Sequence, residues 1–152
     1  MFNRSTMKAT GRVKLQLVSP DGLIKEEQEV KNLVVDTGLD WIADRFIDSA
    51  IPDEMSHMEV GTDNTAASAG DTTLGSAIVG SRVSLTSSTV TDNAVEYIGD
   101  FPAGTGTGAV VEAGILNAAS AGVLLCRTVF SVVNKGADDT LKITWTVTVS
   151  DS

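Results

Sequence analysis

The chain is short of the residues from which small catalytic and metal centres are usually built. Across 152 residues it has one cysteine, Cys126, and one histidine, His57. A lone cysteine permits no intrachain disulfide and no cysteine-based metal site. A lone histidine removes the usual zinc constellations and any histidine pair. One tyrosine and two tryptophans leave little to stack on sugars. No apolar run approaches the length of a bilayer span, and the start, MFNRSTMKATGRVK, has charge but no apolar signal core. These absences lead to the expectation of a soluble protein made in a reducing cytosol, without cofactor or membrane partner. Positive charge is scarce too: eleven Lys and Arg stand against twenty Asp and Glu, a net charge of −9. Nucleic-acid affinity comes mainly from cations displacing counterions, so DNA and RNA are disfavoured as partners.

What cationic charge there is lies unevenly. Arg4, Lys8, Arg12 and Lys14 all precede the first acid, Asp21. The expected organisation is an extended basic N-terminal arm over 1–11 and a single β domain over 12–152. Arg4, Lys8 and Arg12 become candidate contacts to an acidic neighbouring protein. At 42% hydrophobic residues the chain can bury a real core; a chain of this size buries roughly 70% of its unfolded surface.

Alternation dominates the rest. In LKITWTVTVS, Leu141, Ile143, Trp145, Val147 and Val149 alternate with Lys142, Thr144, Thr146, Thr148 and Ser150, the period of a half-buried strand. GRVKLQLVSPDGLIKEEQEV reads as a hairpin about Ser19-Pro20-Asp21-Gly22, with 23–31 as a charged, solvated edge. HMEVG, SRVSLTS, NAVEYIGDF, GAVVEAGILNA and GVLLCRTVFSVV read as further strands, the last apolar on both faces. TDNTAASAGDTTLGSAI reads as an ordered surface loop with a brief helical turn. A single amphipathic helix is expected at about 37–48, with Thr37 and Asp40 as a capping box and Leu39, Ile42, Ala43, Phe46 and Ile47 as its apolar stripe. Seven to nine short strands between Gly, Asn and Asp turns predict a mainly β fold, an antiparallel sandwich or jelly-roll-like barrel.

Gly104-Thr-Gly106-Thr-Gly108-Ala109 matches G-x-G-x-x-A, the fingerprint of a dinucleotide phosphate loop. That chemistry needs a helix opening on the last glycine and a ribose-binding acid about twenty residues on. AVVEAGIL favours strand over helix, and no acid lies between Glu112 and Asp138. Gly104, Gly106 and Gly108 are instead candidates for a turn or a close subunit contact. Cys126 sits in an apolar run beside Arg127 and reads as a small buried hydrophobe. Asp63, Asn64, Asp71, Asp138 and Asp139 lack the ligand order of a calcium loop. Glu96, Asp100 and Glu112 have nothing beyond their existence to make them a glycosidase pair. No catalytic or metal residue is assigned, and no enzyme is expected.

The segments MSHMEVGTDNTAASAGDTTLGSAI, FPAGTGTGAVVEAGILNAASAGVLLCRTVF and VVNKGADDTLKITWTVTVS together resemble small virion structural proteins of tailed bacteriophages. VKNLVVDTGLDWIADRF resembles the usual lead-in of that group; 1–29 carries no such likeness. The resemblance implies a capsid decoration (cement) protein on the outer surface of the virion. It would be made in the host cytoplasm, with the major capsid protein and itself as partners. A homo-oligomer, a trimer at capsid threefold positions, fits that role. The alternative it leaves open is a tail or tail-fibre-associated module that binds a host receptor. A long fibre would show repeats or heptads, and neither is present.

Overall fold

In the computed structural model, which describes residues 6–47 and 53–151, the protein is mainly β with one short helix. The strands are β1 (Met7–Val18), β2 (Ile24–Val34), β3 (His57–Gly61), β4 (Val83–Ser84), β5 (Ser87–Thr91), β6 (Ala94–Phe101), β7 (Gly108–Leu116), β8 (Leu124–Lys135) and β9 (Thr140–Asp151), and α1 spans Asp36–Asp44. They form one antiparallel sheet in the order β4-β3-β7-β8-β2-β1-β9-β6-β5, curled into a half-barrel. Its two outermost strands are neighbours in sequence. Leu85 and Thr86 join them, the Leu85 amide donating to the Ser56 carbonyl at 2.9 Å and the Thr86 amide to that of Ile98 at 2.7 Å.

The alternations set the core. Val13, Leu15 and Leu17 of β1 and Leu141, Ile143, Trp145 and Val147 of β9 point inward and are buried. They meet Tyr97 and Phe101 of β6, and Met58, Val60, Ile115, Cys126 and Phe130 from the far half of the sheet. Val13 lies directly opposite Trp145. The hairpin forms as its sequence indicates: Gly22 takes φ of 85°, and its amide donates to the Ser19 carbonyl at 2.9 Å. β8 is buried through Leu124–Thr128, as expected of a strand apolar on both sides.

Several expectations need correction. Residues 7–11 are not a separate arm: Met7 pairs with Asp151 and Gly11 with Val147, continuing β1 along the whole of β9. β2 does not stop at residue 31. It runs on to Val34, where Leu33 pairs with Arg127 and Val34 with Cys126, a two-residue seam joining the halves of the sheet. The loop over 62–78 holds a single hydrogen-bonded turn, the Asp71 amide donating to the Ser68 carbonyl at 3.0 Å, and no helix.

The helix starts at Asp36 and its regular part ends at Asp44 rather than 48, a position outside the described residues. Its N-cap is Val35, with no capping side chain. Thr37 spends its hydroxyl on the Leu124 carbonyl at 2.9 Å instead. The Val35 amide donates to Leu125 at 3.2 Å, and a Cβ on Gly38 would collide with the Leu125 carbonyl. α1 is thus docked on β8 end-on through its first turn. Ile42 packs against the core, while Leu39, Phe46 and Ile47 of the expected stripe stay exposed.

Candidate interaction face

The polar half of each alternation makes the outer surface of β2, β1 and β9. Lys8, Thr10, Arg12, Lys14 and Gln16 lie across from Ser150, Thr148, Thr146, Thr144 and Lys142. Lys31 of β2 lies across from Arg12. Five of the chain's eleven cationic side chains, Lys8, Arg12, Lys14, Lys31 and Lys142, therefore share one face. Period-two alternation in paired strands forces this, because residues opposite each other project the same way. A shallow groove of about 630 Å³ runs over it, lined by Thr10, Gly11, Arg12, Lys31, Thr146 and Thr148.

Acids flank the cations on both sides. Arg12 reaches Glu29 at 3.6 Å and Lys14 reaches Glu27 at 3.6 Å. On β6, Glu96 lies opposite Thr146 and Asp100 opposite Lys142. The ion pairs are well exposed, with Arg12 and Glu29 at 71% and 57%, so each contributes little to stability and stays free to exchange partners. Lys8 and Arg12 are brought together with Lys14, Lys31 and Lys142; Arg4 lies outside the described residues.

The glycine run has a local explanation. Gly104, Gly106 and Gly108 all take positive φ, at 82°, 68° and 141°. Gly106 is buried within its own chain: a Cβ there would sit 3.0 Å from Val60 Cγ2 and 3.7 Å from Phe101. The Gly104 amide donates to the Ala137 carbonyl at 2.8 Å, and buried Lys135 donates to the Pro102 carbonyl at 3.0 Å. Space around Gly104 is open. β7 begins at Gly108, so a strand follows the glycines where a phosphate cradle would need a helix N-terminus.

The remaining candidates disperse. Glu96 and Asp100 face outward on β6, and Asp100 accepts from the Thr86 hydroxyl at 2.7 Å. Glu112 is completely buried elsewhere. Cys126 is buried, and desolvation pushes its thiol well above the ordinary range. His57 Nδ1 lies 2.7 Å from the Ser56 hydroxyl. Asp138 lies in the β8–β9 turn, and Asp139 pairs with Lys25 at 2.9 Å, which holds its carboxyl below the ordinary value. Among the described residues no group of three or more His, Cys, Asp or Glu could hold a metal ion. No helix among them is long and apolar enough to cross a membrane.

Sequence reasoning missed a buried ionic cluster. Glu112 of β7 takes the Arg127 guanidinium of β8 at 2.8 Å and accepts the Gly75 and Ser76 amides at 2.9 and 2.7 Å. Arg127 reaches Asp71 at 3.1 Å and lies 3.9 Å from Asp63. Asp63 in turn accepts from the Thr65 amide and hydroxyl, which lowers its pKa. These contacts nail the loop over 62–76 to the sheet. The signal was present: GAVVEAGIL and GVLLCRTVF each carry one charge inside an apolar run, of opposite sign.

Comparison of the chain with protein-family models, with curated proteins and with solved structures finds no match.

Proposed function

We propose that the protein is a structural component of a tailed-bacteriophage particle, a decoration protein that binds the outer capsid shell and stabilises it. The observation that carries this reading is the segregation of five of eleven cations onto one sheet face of a chain with net charge −9. That face fits a partner protein with complementary acidic groups, the major capsid protein in this reading. Complementary charge steers encounter and fixes register, while the rest of the molecule repels the same partner. A nucleic acid fits worse. Its uniform negative charge would meet Glu27 and Glu29 on one side and Glu96 and Asp100 on the other.

The segment likeness to phage virion proteins points the same way. So does the arrangement of the half-barrel, whose β5-β6-β9-β1-β2 half faces the β8-β7-β3-β4 half across the core. We read this as a sandwich of jelly-roll-like type. In the particle the protein is a homo-oligomer on the virion surface. It acts by contact, with no reaction assigned to it.

The test is a binding and stability assay with capsids lacking the protein. Wild-type protein should bind them and delay DNA release on heating. The triple reversal Lys8→Glu, Arg12→Glu, Lys31→Glu should fold normally yet fail to bind. Unchanged particle stability together with abolished adsorption to cells would overturn this reading in favour of a tail receptor-binding module.

A further inference from the structure

Every open sheet presents edges, and this molecule guards its edges unequally. The free stretch of β2 over 24–31 carries Lys25, Glu26, Glu27, Glu29 and Lys31. β4, at one end of the strand order, is two residues long. Both are recognised ways of discouraging strand addition. β5, at the other end, has neither protection. Its sequence is Ser87-Ser88-Thr89-Val90-Thr91, without charge, proline or glycine. All five residues pair regularly with β6, from Ser87 opposite Ile98 to Thr91 opposite Ala94, with no bulge. Four of the five are exposed, Val90 at 71%. Uncharged, unbulged and ending in three β-branched residues, the strand is a template for another strand.

We propose that β5 pairs antiparallel with the β5 of a second copy of this chain, about a two-fold axis at Thr89. Two half-barrels then share one continuous sheet. In that register Thr89 faces Thr89 of the second copy, Ser88 faces Val90 and Ser87 faces Thr91. No charge meets a like charge, and exposed Val90 gains a cross-strand neighbour. The occupant follows from electrostatics. Two copies at −9 each repel over most of their surfaces, whereas the five residues of this edge carry no charge. The like charges it brings nearest are Asp92 of one copy and Asp100 of the other, which bonds the Thr86 that Asp92 faces. They lie two strand spacings apart, about 10 Å. The nearest acid on the adjoining strand, Glu96 of β6, would be three strand spacings from its symmetry mate, about 14 Å. That exceeds the screening length of about 8 Å at physiological salt. The contact is isologous and closes on itself, and it does not depend on what the cationic face binds. A five-residue edge covers far less than the roughly 1,200 Å² of a stable complex, so the pairing is weak in dilute solution.

Single cysteines read the geometry directly, because native Cys126 is buried. Under mild oxidation Thr89→Cys should form a covalent dimer roughly tenfold faster than Ser88→Cys or Val90→Cys alone, since a disulfide needs its Cα atoms within about 7 Å. A mixture of Ser88→Cys and Val90→Cys should cross-link as fast as Thr89→Cys. Equal, slow rates at all three positions overturn the proposal. Sedimentation from about 10 μM to about 1 mM gives the second measurement, spanning weak affinities. The wild-type average mass should rise toward twice the monomer, and Thr89→Lys, with an unchanged melting temperature, should weaken association about fivefold by setting like charges opposite. A wild-type protein that stays monomeric throughout overturns it equally.

Discussion

Arg127 shows how much a single side chain does here. It is 2% exposed, and its guanidinium is divided between Glu112 and Asp71. Removing one partner of a buried pair leaves an uncompensated charge, which costs about 3–5 kcal/mol. Arg127→Ala should therefore lower the urea midpoint by that equivalent, and it should free the loop over 62–76, whose Gly75 and Ser76 amides rest on the same carboxylate. A loss below about 1 kcal/mol, the scale of an exposed ion pair, would sink this account. The glycines nearby serve the same packing. A Cβ on Gly75 would collide with the Asp63 carboxylate, and one on Gly61 with Glu112.

Among the elements, β1 and α1 depart furthest from their sequence appearance. Charge at the N-terminus suggested an arm, but Met7–Gly11 alternates as the rest of β1 does and pairs with β9 from Val147 to Asp151. Val149 exchanges hydrogen bonds with Asn93 on its other side, and the β9 backbone groups that face β1 gain partners by that pairing. Deleting residues 1–11 should abolish slow hydrogen exchange at those amides of 147–151 that face β1, while β7 and β8 and the Val149 amide, held by the Asn93 carbonyl, stay protected. Retained protection at the amides facing β1 would show that β1 is dispensable there. In α1 the apolar stripe was real as periodicity but wrong as packing. Gly38 and Thr37 bring the first turn onto the Leu124 and Leu125 carbonyls, which leaves Phe46 70% exposed. A helical wheel records which residues share a side; it does not record that a helix meets its neighbour at one end.

For the molecule as a whole, alkaline pH probes the shared core between the halves of the sheet. Tyr97 is 5% exposed, and burial raises its hydroxyl from 10.0 to about 12. Between those values the unfolded chain releases the phenolic proton and the folded chain keeps it. The unfolded state then binds fewer protons, so stability falls as pH rises, by about 1.4 kcal/mol per unit from this group. Tyr97→Phe should flatten the dependence of the melting temperature over that window. An unchanged slope would mean that the hydroxyl is hydrated in the folded state.

Legible from the order of residues alone were the period-two strands, the hairpin turn at Gly22, the exclusion of a phosphate loop at Gly104–Gly108 and the inward row from Leu141 to Val147. All of these are local: φ preferences and alternation act within a few residues. The three-dimensional fold was needed to set β7 beside β8, which turns Glu112 and Arg127 from two misplaced charges into a clamp. It alone decided that β9 lies beside β1, bringing Lys142 to the face that Lys8, Arg12 and Lys31 share, and that β5 ends the sheet with an edge left uncharged. One cause underlies all three. Which strands become neighbours depends on contacts between residues far apart in the chain, and alternation fixes the face a side chain takes without naming the strand beside it.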